Sequence, residues 1–337
     1  MKKHQRGFFL NPFKTTAPIS YEWINRGKLD LPTSSSIKAV VCGDTNNWVL
    51  MATSANGVSI LNSSDGITWS APVYELTGSA YNYNRLFYAN GVFFAGSNTG
   101  HYATSTDGTT WTEKTMEDFG HPYWMEGQMH SVLYAHGLWI ISGQWGLIAT
   151  SPDLVTWTRR GTPSMLANLM MATLSSGAHG DGITALNAQW AGQDQLLTTA
   201  NGVDWTQVPT PTLNPATSMV LKYGNGVWVM ACDADRLFTS TDLVTWTQRN
   251  LNFISTASVG DALTALHYGK DGLWMVCNDI GRISTSPDAT TWTESLTPFS
   301  LYDAVFSLIN SNGVWVAAAQ SRLVGTSQSY CTLGVPT

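Results

Sequence analysis

Short runs in which apolar and polar residues alternate fill the chain from about residue 21 onwards, and turn signals separate them. In one clear stretch, the runs cover residues 218–222, 227–232, 236–240 and 244–249. Alternation with a period of two is typical of half-buried β-strands, and we find no helical period of 3.6 residues. The pattern therefore predicts an all-β chain built from units of four short strands.

A turn followed by a strand recurs along the chain and sets the phase of these units. Asn-Gly, Asp-Gly or His-Gly precedes an apolar pair, as in Asn225-Gly-Val-Trp228, because such residues tolerate the positive φ of a tight hairpin. The clear copies begin at Asn90, His136, Asn225, Asp271 and Asn312, and weaker ones begin at Asn46 and Asp181. These seven copies lie about 44 residues apart. Four strands repeated at this spacing are typical of a β-propeller.

A second motif, Ser-x-Asp-x-x-Thr-Trp, also recurs along the chain. It covers residues 63–69, 105–111, 151–157, 240–246 and 286–292, and a weaker copy covers residues 199–205. The Asp can accept hydrogen bonds from backbone N–H groups two or three residues later, which closes a turn. The Trp is large enough to fill the seam between neighbouring units. We therefore predict structural roles for Asp65, Asp107, Asp153, Asp242, Asp288, Trp69, Trp111, Trp157, Trp205, Trp246 and Trp292.

The last unit lacks this motif, because Ser327-Gln-Ser329 stands in its place and no Trp follows. Residues 304–309, 314–319 and 323–326 predict its first three strands. A matching fourth strand occurs at the other end of the chain, where Trp23 lies 46 residues before Trp69. Residues 21–337 are thus predicted to form a seven-bladed β-propeller of four-stranded antiparallel blades. Its N-terminal strand completes the last blade and leaves few exposed edges.

The first 20 residues differ from the rest and predict an extended arm. They carry four basic side chains and no acid, whereas the whole chain has a net charge of −6. Two prolines, at positions 12 and 17, disfavour a helix. The basic and aromatic side chains that we expect to mediate assembly are Lys2, Lys3, Arg6, Phe8, Phe9 and Phe13.

The Ser-x-Asp motifs resemble the Asp-box, or BNR, repeats of sialidase-like β-propellers. The copies here are one residue shorter, and three of the six have Leu or Ala in place of Gly. The resemblance implies that the boxes are structural turns away from any active site. Sialidase activity would need an arginine triad for the substrate carboxylate, and most of the nine arginines follow the repeat instead. We therefore expect a protein that is not an enzyme.

Candidate binding chemistry is sparse. His121, His130 and His136 fall close together, but their spacing matches no metal-ligand motif. We predict no metal site, no cofactor and no catalytic residue. Aromatic residues in the predicted loops have two interpretations, local packing under the loop or contact with a partner. They are the best candidates in the chain for contact with a sugar or protein: Tyr81, Tyr83, Phe119, Tyr123 and Trp124.

Composition gives the chain a broad functional class. Charged residues make up only 12% of it, it contains 15 Trp, and no apolar run approaches the length of a membrane span. Its acidic balance disfavours nucleic-acid binding. The composition and repeats resemble those of bacteriophage tail propellers. This resemblance implies a non-enzymatic virion protein, assembled in the host cytoplasm, that joins other virion proteins through its arm and contributes to adsorption. The alternatives are a capsid decoration or head spike and a glycan-binding or sialidase-like propeller, and either could contact a host glycan or receptor.

Overall fold

A computed structural model describes most of the chain beyond residue 20. The described residues are 21–29, 36–54, 57–76, 83–116, 128–160, 172–190, 193–210, 219–232, 236–251, 262–295, 303–311, 314–321 and 329–336. Within these ranges, no helix is long and apolar enough to cross a membrane.

The described strands form seven four-stranded antiparallel sheets, which we number in chain order. Sheet 1 contains β2 (Ser36–Cys42), β3 (Trp48–Ser54), β4 (Gly57–Ser63) and β5 (Tyr74–Leu76). Sheet 2 contains β6 (Tyr83–Ala89), β7 (Val92–Ser97), β8 (His101–Ser105) and β9 (Thr112–Thr115). Sheet 3 contains β10 (Met129–Ala135), β11 (Leu138–Gly143), β12 (Ile148–Ser151) and β13 (Thr158–Arg159). Sheet 4 contains β14 (Thr173–Gly180), β15 (Ile183–Trp190), β16 (Gln193–Thr199) and β17 (Thr206–Val208).

The remaining sheets follow the same order, and the last one also includes the first strand of the chain. Sheet 5 contains β18 (Met219–Gly224), β19 (Val227–Cys232), β20 (Leu237–Ser240) and β21 (Thr247–Arg249). Sheet 6 contains β22 (Leu263–Tyr268), β23 (Trp274–Asn278), β24 (Ile283–Ser286) and β25 (Thr293–Ser295). Sheet 7 contains β26 (Asp303–Ser311), β27 (Val314–Ser321), β28 (Ser329–Pro336) and β1 (Tyr21–Lys28).

The sheets are arranged around a ring, with the first strand of each sheet on the inside. Every inner strand contacts the inner strands of both neighbouring sheets, in the order β2, β6, β10, β14, β18, β22, β26 and back to β2. Four-stranded antiparallel sheets in this arrangement are the blades of a β-propeller.

The two ends of the chain meet in sheet 7. β1 pairs with β28 in antiparallel register, with Tyr21 opposite Pro336 and Trp23 opposite Gly334. Gly334 in turn lies opposite Trp315 of β27. The N-terminal strand is therefore the outermost strand of the last sheet. The strand in the third place of this sheet is β28, which begins at Ser329, so the predicted third strand is misplaced; its residues 323–326 lie outside the described part of the chain. The absence of a box after residue 326 hid this shift from the sequence pattern.

In sheets 2 to 5, the hairpin between the first two strands uses the predicted turn residues. Asn90 and Gly91 have φ values of 46° and 76°, and Asn225 and Gly226 have 49° and 77°. Two successive positive φ values match the right-handed twist of the flanking strands, which is why Asn-Gly is favoured there.

The hydrophobic core lies in the seams between neighbouring sheets. Trp111 packs with Met51 of sheet 1 and Phe93 of its own sheet, and Trp157 packs with Phe94 of sheet 2. Trp69, Trp205, Trp246 and Trp292 lie in the corresponding seams. The structure thus places these six box tryptophans where the sequence predicts them, whereas the side chain of Trp23 lies outside the described part of the chain. Cys232 and Cys277 are fully buried, as expected of small apolar side chains.

Candidate functional site

The box carboxylates are held in their own turns. In the copy at residues 105–111, Asp107 Oδ1 accepts hydrogen bonds from the backbone N–H groups of Thr109 and Thr110 at 2.8 and 2.7 Å. The Ser105 hydroxyl donates to the same carboxylate oxygen and accepts from the N–H of Gly108. The same pattern holds at Asp65, Asp153, Asp242 and Asp288. These hydrogen bonds form the turn predicted from the sequence.

These hydrogen bonds also set the charge of the box carboxylates. The backbone N–H groups of Thr245 and Val244, followed by the Ser240 hydroxyl, lower the pKa of Asp242 to about 2. The N–H of Thr156 is the main cause of the lowered pKa of Asp153. The box carboxylates are therefore firmly ionised hydrogen-bond acceptors and are not poised as general acids.

Three boxes replace the expected Gly without changing the turn. Leu154, Leu243 and Ala289 have φ values of 59°, 63° and 60°, a left-handed conformation that costs an L-residue about 1–2 kcal/mol. Their side chains are at most 6% exposed. Burial of these side chains in the seams offsets the backbone cost, which explains why the sequence can depart from the Asp-box pattern here.

One predicted contact residue is wrong. Tyr83 was expected in a loop that meets a sugar or a protein, but it lies in β6 with 0% exposure. Its ring belongs to the seam between sheets 1 and 2, and its hydroxyl donates to Glu113 Oε2 at 3.4 Å. The residue therefore packs the core and cannot reach a partner. Tyr83 and Arg85 are two residues apart, which is the spacing of side chains on one face of a strand. The loop interpretation overlooked this signal of an inner strand.

The other predicted contact residues lie outside the described part of the chain. This applies to Tyr81, Phe119, Tyr123 and Trp124 and to the arm residues Lys2, Lys3, Arg6, Phe8, Phe9 and Phe13. Their flanking strands are described, however. β6 and β10 are the strands that follow the loop aromatic residues in the chain, and they begin at the same end of the ring as the other inner strands. We call this end of the ring the connection end.

A cluster of basic residues lies on the inner strands at the connection end, and sequence reasoning missed it. Lys38 and His130 occupy bulges in β2 and β10, and Arg85 follows a bulge in β6, which lies between them. The Arg85 guanidinium donates to the backbone oxygen of Asn84 at 3.3 Å. Among the described residues, no carboxylate forms an ion pair with any of these three cations. The three residues are far apart in the sequence, so the cluster is recognised only when the inner strands of the three sheets are aligned.

Burial and mutual repulsion act on this basic cluster. Burial, followed by the positive charge of Arg85, lowers the pKa of His130 to about 4 and also lowers the pKa of Lys38. Burial lowers the pKa of Arg85 as well. Two partly desolvated cations, Lys38 and Arg85, beside a neutral His130 form a suitable place for an anion, which would relieve both effects.

Comparisons with known proteins identify the fold and do not identify a family. No protein-family model matches the chain, and no curated protein matches it. Among solved structures, YCF48 from Cyanidioschyzon merolae is similar with a TM-score of 0.67 and 14% identity, over 94% of this chain and 98% of that one. A catalytically inactive virginiamycin B lyase from Staphylococcus aureus with quinupristin has a TM-score of 0.70 and 12% identity, over 94% and 99% of the two chains. The WD40 repeats of RRP9 have a TM-score of 0.63 and 9% identity, over 94% and 98%.

These neighbours have unrelated functions, and their identity to this chain is too low to transfer any of them. What they share with the chain is the ring of antiparallel sheets. The chain is therefore an all-β propeller with four-stranded antiparallel blades.

Proposed function

We propose that this protein is a non-enzymatic component of a bacteriophage virion and belongs to the tail, in the nozzle, knob or fibre region. In this proposal the seven sheets are the seven blades of one closed ring, and the arm of residues 1–20 joins the ring to another virion protein. Host adsorption is the process to which the assembled ring contributes.

The position of β1 carries this proposal. β1 is the outer strand of sheet 7, and it is held there by pairing with β28. The arm therefore connects to the ring at its outer edge, next to a paired strand that fixes the point of attachment. An extended segment in this position can bind a neighbouring protein without disturbing the seams of the ring.

Charge supports the same role for the arm. Its basic residues contrast with the acidic balance of the rest of the chain, so the arm is suited to an acidic groove of a neighbouring protein. Its three Phe side chains supply the apolar anchors that hot spots of protein interfaces use.

The non-enzymatic part of the proposal rests on what the box carboxylates do. The five box aspartates are the acids with the most regular spacing, and they accept hydrogen bonds from backbone N–H groups in their own turns, as described for Asp107 and Asp242. Their chemistry is therefore structural, which favours a scaffold with a binding role.

Deletion of residues 2–20 tests the proposal. The truncated ring should keep its circular dichroism spectrum and its melting temperature, because every described sheet is retained, yet it should fail to enter particles. A second variant with Phe8, Phe9 and Phe13 changed to Ala should show the same loss with the chain length almost unchanged. A folded, truncated protein that still enters particles would contradict the assembly role. Gold labelling of the ring on particles separates a tail position from the alternative of a head decoration.

A second candidate, recognition of an acidic glycan or an acidic peptide, is favoured by the basic cluster of Lys38, Arg85 and His130. One solved structure shows YCF48, a propeller of similar fold, bound to D1 peptide. A glycan array that includes sialylated and uronic-acid sugars should show binding that Arg85→Gln abolishes if this candidate is correct. Turnover of a fluorogenic sialoside would overturn the non-enzymatic assignment.

A further inference from the structure

Sheet 4 departs from sheets 2, 3, 5 and 6 at one pair of facing residues. In four sheets, an aromatic residue at the end of the inner strand packs against an aromatic residue of the second strand. The ring centroids lie 4.7 Å apart for Tyr88 and Phe93, 5.2 Å for Tyr134 and Trp139, and 4.8 Å for both Tyr223 with Trp228 and Tyr268 with Trp274. In sheet 4 the corresponding cross-strand partners are His179 and Thr184.

The neighbouring turn of sheet 3 departs from the repeat as well. His136 has a φ of 56° at a position where Asn90 and Asn225 have φ values of 46° and 49°. Its imidazole reaches sheet 4, where its ring lies 4.9 Å from that of His179 at an interplanar angle of 83°. Three departures from the repeat, at His136, His179 and Thr184, thus meet at one point.

The polar atoms of these three residues converge. His136 Nε2 lies 3.1 Å from Thr184 Oγ1, and His179 Nδ1 lies 2.9 Å from the same oxygen. A hydroxyl has one proton, so it can donate to only one ring and must accept from the other. Two imidazole nitrogens from different sheets therefore point at one small region beside a hydroxyl oxygen.

Packing alone explains part of this arrangement. Thr184 is smaller than the Trp or Phe at its position in other sheets, and the His136 ring occupies space at the seam. An apolar side chain would fill such space without any need for converging nitrogens. The convergence of two imidazoles is what packing leaves unexplained.

We propose that His136 and His179 bind a divalent transition-metal ion of the nitrogen-preferring class, such as Zn²⁺, Ni²⁺ or Cu²⁺, and that this ion links sheets 3 and 4. Imidazole suits these ions. His136 Nε2 and His179 Nδ1 supply two ligands after small ring rotations, the Thr184 oxygen lies beside them, and water completes the coordination shell. This inference goes beyond the proposed function and stands independently of it.

The surroundings agree with an open site of this kind. Thr184 is 0% exposed and closes the site on the protein side, whereas His179 is exposed and gives access from solvent. No group of three or more His, Cys, Asp or Glu side chains converges in the described ranges, so the site has two protein nitrogens and open positions.

The repeat itself supplies the variants for a test. His136→Asn introduces the residue that positions 90 and 225 hold in the same backbone conformation, and His179→Tyr introduces the residue found at positions 88, 134, 223 and 268. Both variants are expected to fold. His101→Asn is the matched control, because His101 Nδ1 also lies 3.1 Å from a threonine hydroxyl, that of Thr115, but belongs to β8 of sheet 2.

The experiment is titration calorimetry on the full chain after treatment with EDTA, with ZnCl₂, NiCl₂ and MgCl₂ as separate titrants. We expect Zn²⁺ and Ni²⁺ to bind the unmodified protein and the His101→Asn variant equally, and Mg²⁺ not to bind. His136→Asn and His179→Tyr should each weaken Zn²⁺ binding at least about tenfold. The proposal is overturned if the unmodified protein binds neither Zn²⁺ nor Ni²⁺, or if His136→Asn binds them as tightly as the unmodified protein.

Discussion

Ser307 of sheet 7 and Val40 of sheet 1 exchange hydrogen bonds across the seam where the ring closes. The Ser307 hydroxyl accepts from the backbone N–H of Val40 at 3.1 Å and lies 3.2 Å from the backbone oxygen of the same residue, to which it donates. Ser176 and Leu221 make the same contact between sheets 4 and 5, at 3.1 and 3.5 Å. In each of these two seams, a serine hydroxyl on one inner strand thus forms hydrogen bonds with the backbone N–H and oxygen of a residue on the next inner strand.

Removal of this hydroxyl should weaken ring closure. Ser307→Ala leaves the backbone N–H and oxygen of Val40 without their partner, which should lower the free energy of unfolding by about 1–3 kcal/mol. Urea denaturation followed by tryptophan fluorescence measures the loss. Ser176→Ala is the control for an internal seam and should cost a similar amount, because both serines make the same contact. If Ser307→Ala has no effect while Ser176→Ala is destabilising, the closing seam is not held in this way.

Trp23 is expected to anchor the outer strand of sheet 7. It lies opposite Gly334, which lies opposite Trp315, so it occupies the place of a box tryptophan in a sheet that has no box. Trp23→Ala should therefore destabilise the protein by about 3–5 kcal/mol, as expected for a large buried aromatic side chain. Val155→Ala, at a valine that is 60% exposed, is the surface control. Equal losses for the two variants in chemical denaturation would contradict an anchoring role for Trp23.

Stability should fall in acid through the box carboxylates. The folded pKa of Asp242 is about 2, below the value of about 3.9 for an unfolded Asp. The box therefore contributes stability above the unfolded pKa, and this contribution is lost as the pH falls from about 4 to about 2. Asp242→Asn keeps an oxygen acceptor but removes the charge, so the melting temperature of this variant should decrease less over that range.

A natural copy supports the design of that variant. Asn201 stands at the Asp position of its box, and its Oδ1 accepts from the N–H groups of Val203 and Asp204 at 2.9 Å each. An amide thus forms the same turn without ionisation. Melting curves for Asp242→Asn that fall with pH as steeply as those of the unmodified protein would show that the acid sensitivity lies elsewhere.

Gly108 should tolerate no side chain. Its φ is +77°, and a Cβ atom at this position would lie 2.7 Å from Val49 Cγ2 of sheet 1. Gly108→Ala should therefore cost about 1–3 kcal/mol for the forced contact, in addition to the left-handed backbone. Gly91→Ala is the matched control, since its φ is +76° and nothing lies within 4 Å of the added atom. Equal unfolding free energies for the two variants would exclude the predicted contact with Val49.

Local signals explain why so much of the fold could be predicted. Asn90-Gly91 and the box at Asp107 specify their turns through residues adjacent in sequence, so a single copy shows the geometry and the others confirm its period. The strand containing Trp23 could be assigned because the last unit lacks a fourth strand of its own. The third strand of that unit was misplaced, because no turn residue marks the start of β28.

The candidate site depends on contacts that no local pattern contains. Lys38, Arg85 and His130 come together only because neighbouring inner strands align, and His136 meets His179 only across a seam. Tyr83 was misread for the same reason, since its burial is set by sheet 1. For His136 and His179 the useful signal was a departure from the repeat, and it acquires meaning only when the register of the sheets is known.

The pairing of β1 with β28 has a consequence for synthesis. The ribosome makes β1 first and its partner last, so the outer strand of sheet 7 has no edge to join until nearly the whole chain has emerged. A prematurely terminated product would leave that edge open and the ring incomplete. Sheet 7 therefore cannot be completed until β28 has been made, and the arm that precedes β1 acquires its fixed point of attachment only then.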